Sequence, residues 1–65
     1  MKHANDVATA REQIRLSEAK VVDNRQLVAE SKSQGYGVWL AKELLSASED
    51  TLRAHKAHLR YLGAT

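Results

Sequence analysis

The apolar residues of this chain fall into two series with a strict seven-residue step. The series are Val7, Ile14, Val21 and Val28, and then Val38, Leu45, Leu52 and Leu59. A seven-residue repeat keeps one stripe of a slightly underwound helix facing one partner. Because the two series mirror each other about Gln34-Gly35, the pattern predicts an all-α, coiled-coil-like hairpin of two antiparallel helices.

A second set of positions, three residues after each member of the series, completes the predicted seam between the helices. These positions hold Ala10, Ser17, Asn24, Ser31, Ala41, Ser48, His55 and Leu62. Folding between residues 34 and 35 predicts seven layers: Val28 with Ala41, Asn24 with Leu45, Val21 with Ser48, Ser17 with Leu52, Ile14 with His55, Ala10 with Leu59, and Val7 with Leu62. Pairing a branched aliphatic with a small or polar residue lets two helices approach closely.

The helix ends follow from capping chemistry. We expect one domain over residues 1–65, with a first helix at about 6–33, a turn at 34–37 and a second helix at about 38–62. Asn5 or Asp6 is predicted to cap the first helix. Gly35 is placed to close that helix in the left-handed conformation, the second helix should begin near Gly37 or Val38, and Gly63 should end it.

Composition narrows the class of protein. The chain has 65 residues, so its hydrophobic core is small. Because it has no cysteine, disulfides and thiolate metal sites are excluded, and the absence of proline suits long helices. No apolar run approaches the ~18 residues of a membrane span, and the first residues lead into a charged helix rather than a signal-peptide core. We therefore expect a cytoplasmic protein. Its net charge of +2 permits nucleic acid without requiring it.

Several large apolar residues lie outside the predicted seam, mostly toward the turn. They are Leu16, Val22, Leu27, Trp39, Leu40 and Leu44. Exposed apolar patches mark partner surfaces, so these residues predict self-association, with two hairpins forming a homodimeric four-helix bundle and Trp39 and Tyr36 as anchors at the turn end. Two alternatives stay open. Leu27 and Leu44 could merely widen the hairpin core, or a different protein could cover the patch.

Two histidines form the sharpest local feature for metal chemistry. His55 and His58 are three residues apart on a helix, so they lie on one side and could both bind one metal ion. A complete site needs further ligands, and no acidic cluster converges there by spacing. The favoured interpretation is that His55 packs in the seam opposite Ile14 with His58 beside it, so no metal or other cofactor is predicted.

Basic residues are dense near the end of the second helix, where folding brings part of the first helix alongside. The set is Arg11, Arg15, Arg53, Lys56 and Arg60. Such a patch could contact the phosphates of a nucleic acid. The competing explanation is that cations complement the dipole at a helix C-terminus and that Asp6 and Glu12 dilute the patch.

Catalysis by this chain is not expected. Glu49 and Asp50 are adjacent, so on a helix their carboxylates point about 100° apart and make a poor catalytic pair. Gly35-Tyr36-Gly37 lacks the strand and lysine of a phosphate loop. A two-helix rod also has no cleft that could desolvate a catalytic set.

The last two-thirds of the chain contain four notable segments: Arg25-Gln26-Leu27-Val28-Ala29, Gly35-Tyr36, Leu40-Ala41-Lys42-Glu43-Leu44-Leu45, and Glu49-Asp50-Thr51-Leu52-Arg53-Ala54-His55-Lys56-Ala57-His58. In these segments the chain resembles a family of short proteobacterial helical-hairpin proteins. Gly37 stands where the family has a capping Asp or Thr, and Ser48 where it favours an aromatic. The family has no assigned activity, so the resemblance implies the hairpin fold and a bacterial source only.

Together these features predict a small non-enzymatic, self-associating helical protein that serves as an interaction or regulatory module. The alternative is a nucleic-acid-binding helical dimer, similar in architecture to the plasmid RNA-binding hairpin Rop but sharing no motif with it. A membrane-surface helix is disfavoured because the seam needs the apolar stripe.

Overall fold

The computed structural model describes the backbone of residues 2–63 and the side chains of residues 5–63. Two helices, α1 (Lys2–Gln34) and α2 (Val38–Tyr61), are joined by a turn of three residues. They pack against each other as a hairpin that measures 51 × 14 × 14 Å. The predicted all-α helical hairpin is therefore confirmed.

Helix α1 begins earlier than the capping signals indicated. It starts at Lys2, so Asn5 and Asp6 lie within the helix, and the prediction that one of them caps it near residue 6 is wrong. The residues before Asn5 include good helix formers and no glycine or proline, so nothing in the chain stops the helix from extending toward the N-terminus. A capping residue type favours a helix start but does not impose one.

Two glycines let the chain reverse within three residues. Gly35 has φ 81° and Gly37 has φ 73°, a left-handed conformation that costs other L-residues roughly 1–2 kcal/mol. The Gly35 amide donates to the Ser31 carbonyl at 2.9 Å and closes α1, while the Gly37 carbonyl accepts from the Ala41 amide at 3.0 Å and opens α2. Both ends of the turn agree with the sequence.

The far end of α2 also follows the sequence. Gly63 has φ 80°, and its amide donates to the Arg60 carbonyl at 2.9 Å. Leu62 is the C-cap, so α2 ends one residue before the predicted boundary. As expected, glycine stops the helix.

The predicted seam is the part of the hairpin that excludes water. Its buried members are Ala10, Ser17, Val21, Asn24, Val28, Ser31, Ala41 and Ser48. Its half-buried members are Val7, Ile14, Val38, Leu45, Leu52, His55, Leu59 and Leu62. Among the other side chains that the structure describes, only Glu49 is half-buried, and the rest are exposed. The assignment of seam positions is confirmed residue by residue.

One buried polar contact holds the two helices in register. The side-chain amide of Asn24 donates to the backbone carbonyl of Leu44 at 3.1 Å. This places Asn24 beside Leu45, its predicted partner. A buried amide that finds an acceptor in only one alignment favours that alignment over others.

The core between the helices is thin. The buried apolar residues are Ala10, Val21, Val28 and Ala41, none of them large. The chain exposes 4947 Å², whereas a compact monomer of its mass, 7.2 kDa, exposes about 4,100 Å². Its radius of gyration, 14.8 Å, likewise exceeds the ~11 Å of a compact chain of this length. The hairpin leaves uncovered surface that a globular fold would bury.

Candidate functional site

The hairpin has two broad faces, one on each side of the plane through both helix axes. Each residue is rotated about 100° from the one before it, so a residue's distance from the seam series decides its face. Arg25 and Glu49, each four residues after a series member, meet at 3.9 Å across one face. Lys20, Leu44 and Thr51, each just before a series member, line one groove on the opposite face. Equivalent positions of the two antiparallel helices thus share a face.

The face that holds Lys20, Leu44 and Thr51, here called the leucine face, also carries Leu16, Leu27 and Leu40. The side chains of Leu16, Leu27, Leu40 and Leu44 are 49%, 37%, 58% and 43% exposed, respectively. Between the helices, this face opens into a shallow groove of about 320 Å³ whose floor includes Ser17, Asn24 and Ser48 of the seam. Small and polar seam residues form the floor of the groove, Leu44 lines its side, and the other three leucines are exposed on the same face. The face therefore suits an apolar partner.

The helix α2 contributes an uncharged strip to the leucine face. From the turn to the far end, the strip consists of Leu40, Leu44, Ala47, Thr51, Ala54, His58 and Tyr61. The corresponding positions of α1 include the charged residues Lys20, Asp23 and Glu30. The apolar part of the face is therefore α2 together with Leu16 and Leu27, and the charged part lies along α1.

The six residues predicted to drive self-association do not form one patch. All six are exposed, but Val22 and Trp39 follow a series member by one residue and so lie on the opposite face from the four leucines. Trp39 is 74% exposed there. Sequence reasoning grouped the six because all are apolar and outside the seam. Their positions within the seven-residue repeat would have separated them.

The face that holds Arg25 and Glu49, here called the basic face, carries eight of the ten lysine and arginine residues. It carries Arg11, Arg15, Arg25, Lys32, Lys42, Arg53, Lys56 and Arg60. The face also includes two carboxylates, Glu18 and Glu49, which leaves a formal charge of +6. Because the whole chain is +2, the remaining positions together carry −4. The mild net charge thus conceals a strong separation of charge.

All five residues of the predicted nucleic-acid patch lie on the basic face. The hairpin register sets Arg11 and Arg15 of α1 beside the last turns of α2, which carry Lys56 and Arg60. Three further cations, Arg25, Lys32 and Lys42, extend the face toward the turn. Sequence reasoning missed these three because it looked for local density rather than for equivalent positions in the repeat.

Two acidic residues at the edge of the basic face hold arginines through hydrogen bonds. The Arg15 Nε donates to Glu12 at 3.1 Å, and the Arg53 Nη2 donates to Asp50 at 2.6 Å. The hydrogen bond from Arg15 lowers the pKa of the Glu12 carboxyl, and the same contact raises the pKa of Arg15. Both pairs are exposed, and each joins two residues of a single helix, so water and salt screen them.

The two histidines of α2 occupy different surroundings. His55 is half-buried in the seam, whereas His58 is exposed and stacks on Tyr61 with ring centroids 6.4 Å apart. The described residues contain no group of three or more histidine or carboxylate side chains placed to hold a metal ion. The structure therefore adds no ligand to the pair that the sequence singled out.

Neither helix, over the described residues, has an apolar stretch long enough to cross a membrane. Comparison of the chain with known protein families, with characterised proteins and with solved structures finds no match. The resemblance to the proteobacterial hairpin family stays a prediction.

Proposed function

We propose that this chain is a non-enzymatic interaction or regulatory module of the bacterial cytoplasm that self-associates through its leucine face into a four-helix bundle. The observation that carries the proposal is the exposed leucine face on a hairpin whose own core is thin. Two such faces, packed together, would supply the core that one hairpin lacks.

The uncovered area matches what a dimer requires. The chain exposes about 800 Å² more than a compact monomer of its mass. A standard protein interface buries about 800 Å² on each partner. One interface of ordinary size would therefore bring the exposed surface to the compact value.

Burial of the leucines supplies the driving force. Full burial of a leucine side chain contributes roughly 1.5–3 kcal/mol. Covering the exposed half of four leucines on each of two chains thus contributes on the order of 6–12 kcal/mol, against which the loss of free motion on association must be set. A micromolar dissociation constant requires about 8 kcal/mol net, so the leucines supply a large part of the driving force and the remaining contacts of the interface must supply the rest.

The charges are arranged as an interface needs them. The uncharged strip of α2 supplies an apolar centre, and Lys20, Asp23 and Glu30 of α1 supply a charged border. An apolar centre with a polar rim is the usual anatomy of a protein interface. A second copy of the chain offers the same surface, and a two-fold axis pairs it with itself.

Molar mass in solution tests the proposal. Sedimentation equilibrium over a wide range of protein concentrations is expected to give twice the chain mass of 7.2 kDa. The dimer mass should persist on dilution to the micromolar range. A folded monomer at every concentration would contradict self-association and direct attention to a different protein as the partner of the leucine face.

A further inference from the structure

Self-association through the leucine face leaves the basic face unexplained. Its eight cations recur at steps of three, four or seven residues, or at sums of these, so they keep to one side of each helix. The row on α1 runs from Arg11 to Lys32, about 32 Å at 1.5 Å per residue. The row on α2 runs from Lys42 to Arg60, about 27 Å. Two parallel rows of positive charge thus follow most of the hairpin.

The cations share one surface and their side chains reach solvent, although three of the arginines each pair with a carboxylate. Arg25, Arg53 and Lys56 line one shallow groove whose floor is Val21 and Leu52 of the seam. The side chains of Arg25 and Arg53 are 65% and 70% exposed. The carboxylate of Glu49, at 3.9 Å from Arg25, offsets only part of this charge. Like charges held this close repel, and a polyanion along the rows would relieve the repulsion.

We propose that the basic face binds the phosphate backbone of a duplex nucleic acid. A duplex carries one negative charge per about 1.7 Å of its axis, so a straight face some 30 Å long meets many phosphates at once. Five of the eight cations are arginines, whose planar guanidinium donates two parallel hydrogen bonds to a phosphate.

The face contacts the backbone and does not read bases. A helix with its side chains is about 10–12 Å across, and the major groove is about 12 Å wide. Two helices side by side are therefore too broad to enter the groove. The basic face must lie across the phosphates, which carry no direct sequence information, so duplexes of different sequence bind alike.

A nucleic acid fits this face better than an anionic membrane. Surfaces that bind membranes insert an apolar side below the headgroups while basic residues stay above. The large apolar residues on the basic face are Val22 and Trp39, and the leucines point the other way. The binding proposed here does not require dimerisation. In a dimer formed through the leucine faces, two basic faces would lie on opposite outer surfaces.

Salt dependence of binding is the test. We would titrate the full chain against fluorescent duplexes of about 20 base pairs, one DNA and one RNA. At ~3.4 Å per base pair such a duplex is about 68 Å long, which exceeds the 51 Å length of the hairpin. With five of the eight cations in contact with phosphates, we expect log K for DNA to fall against log salt concentration with a slope of about −4.5. Unrelated sequences should give the same slope. No binding at low salt would overturn the proposal.

Matched variants assign the binding to the basic face. The double variant Arg53→Gln and Lys56→Gln is expected to reduce the slope by about 2, since each lost phosphate contact removes about 0.9. Lys20→Gln removes a cation from the leucine face and should leave the slope unchanged. An equal loss in Lys20→Gln would refute the assignment. All three altered residues are exposed, and circular dichroism would check that each variant is folded.

Two further arms separate the competing explanations. Tighter binding to vesicles of anionic lipid, or to single strands, than to duplexes would overturn the proposal. Leu44→Glu is designed to dissociate the dimer and alters the face opposite the cations. The salt slope of duplex binding, counted for each basic face, should therefore equal that of the unaltered chain. Loss of dimerisation and loss of nucleic-acid binding are thus measured independently.

Discussion

The leucine face and the basic face belong to the same two helices, yet they offer opposite chemistry. The residues that distinguish them lie only one to four positions along the chain from members of the seam series. Which face each residue occupies depends on its angle about the helix axis. The leucine face bears four exposed leucines and a shallow groove that Leu44 lines. The basic face bears a formal charge of +6 on a chain whose total is +2. The seam determines the fold, and the faces beside it are free to specify partners.

The two faces should also respond differently to the solvent. Apolar burial scales with area and is little affected by moderate salt. Attraction between cations and phosphates releases counterions, so its strength depends steeply on salt. Conditions and substitutions that affect one face and spare the other therefore test whether the two faces act separately.

Salt should produce the largest difference. Raising the salt from about 50 mM to about 200 mM is expected to weaken duplex binding by roughly 500-fold, from a slope near −4.5. The same change should alter the dimer dissociation constant by less than about 2-fold, since apolar contacts dominate it. Anisotropy and sedimentation in the same buffers give both quantities. If the dimer dissociates over the same salt range as the duplex complex, dimerisation is also electrostatic and the two faces do not act separately.

Placing a charge on the leucine face should break that face alone. Leu44→Glu is expected to raise the dimer dissociation constant at least ~100-fold, because it removes apolar contact and places a carboxylate in the interface. Val22→Glu makes the same kind of change on the basic face and should leave the dimer intact. Sedimentation equilibrium compares them. A Leu44→Glu dimer of unchanged strength would place the interface elsewhere.

The register of the seam keeps the two faces distinct, and Asn24 holds that register. Asn24→Asp replaces the amide that donates to the Leu44 carbonyl with a buried carboxylate that cannot donate. We expect it to lower the free energy of unfolding by about 1–3 kcal/mol at neutral pH. Gln26→Glu, an exposed change of the same kind, should stay within ~0.5 kcal/mol. Thermal unfolding measures both, and equal stabilities would show that this hydrogen bond does not matter.

Removing carboxylates from the edge of the basic face should give the smallest effect. Glu12→Gln with Asp50→Asn frees Arg15 and Arg53 from their hydrogen bonds. Duplex affinity should rise several-fold, with a slope steeper by up to about 2. The lowered pKa of Glu12 fixes the direction in which the Glu12–Arg15 ion pair depends on pH. The pair persists above the ordinary pKa of Glu12 and is lost as pH falls through the lowered pKa. Unchanged affinity in anisotropy titrations would mean that both arginines are already engaged.

Much of the fold could be predicted because each feature rests on local chemistry. The seven-residue series predicted the seam, and Gly35 and Gly63 marked where the helices end. The start of α1 could not be predicted in the same way. Asn5 and Asp6 are suited to a cap, but the preceding residues continue the helix at little cost, so no local signal decides the boundary.

The candidate site was predicted less completely. Sequence reasoning found the five cations near the open end and the six apolar residues outside the seam. It did not find that Val22 and Trp39 lie apart from the leucines, or that Arg25, Lys32 and Lys42 extend the basic face. Composition and local density identify residue types, whereas membership of a face depends on angle about the helix.

The sequence by itself determined that two helices form, where they turn and which residues are buried between them. Those outcomes follow from side-chain spacing along one chain and from the conformational freedom of glycine. The tertiary structure decided which positions of one helix share a surface with which positions of the other. Antiparallel packing reverses one helix relative to the other, so equivalent positions of both come to the same side, as the contact of Arg25 with Glu49 shows. For that geometric reason, eight cations scattered through the sequence became one face and four leucines became the other.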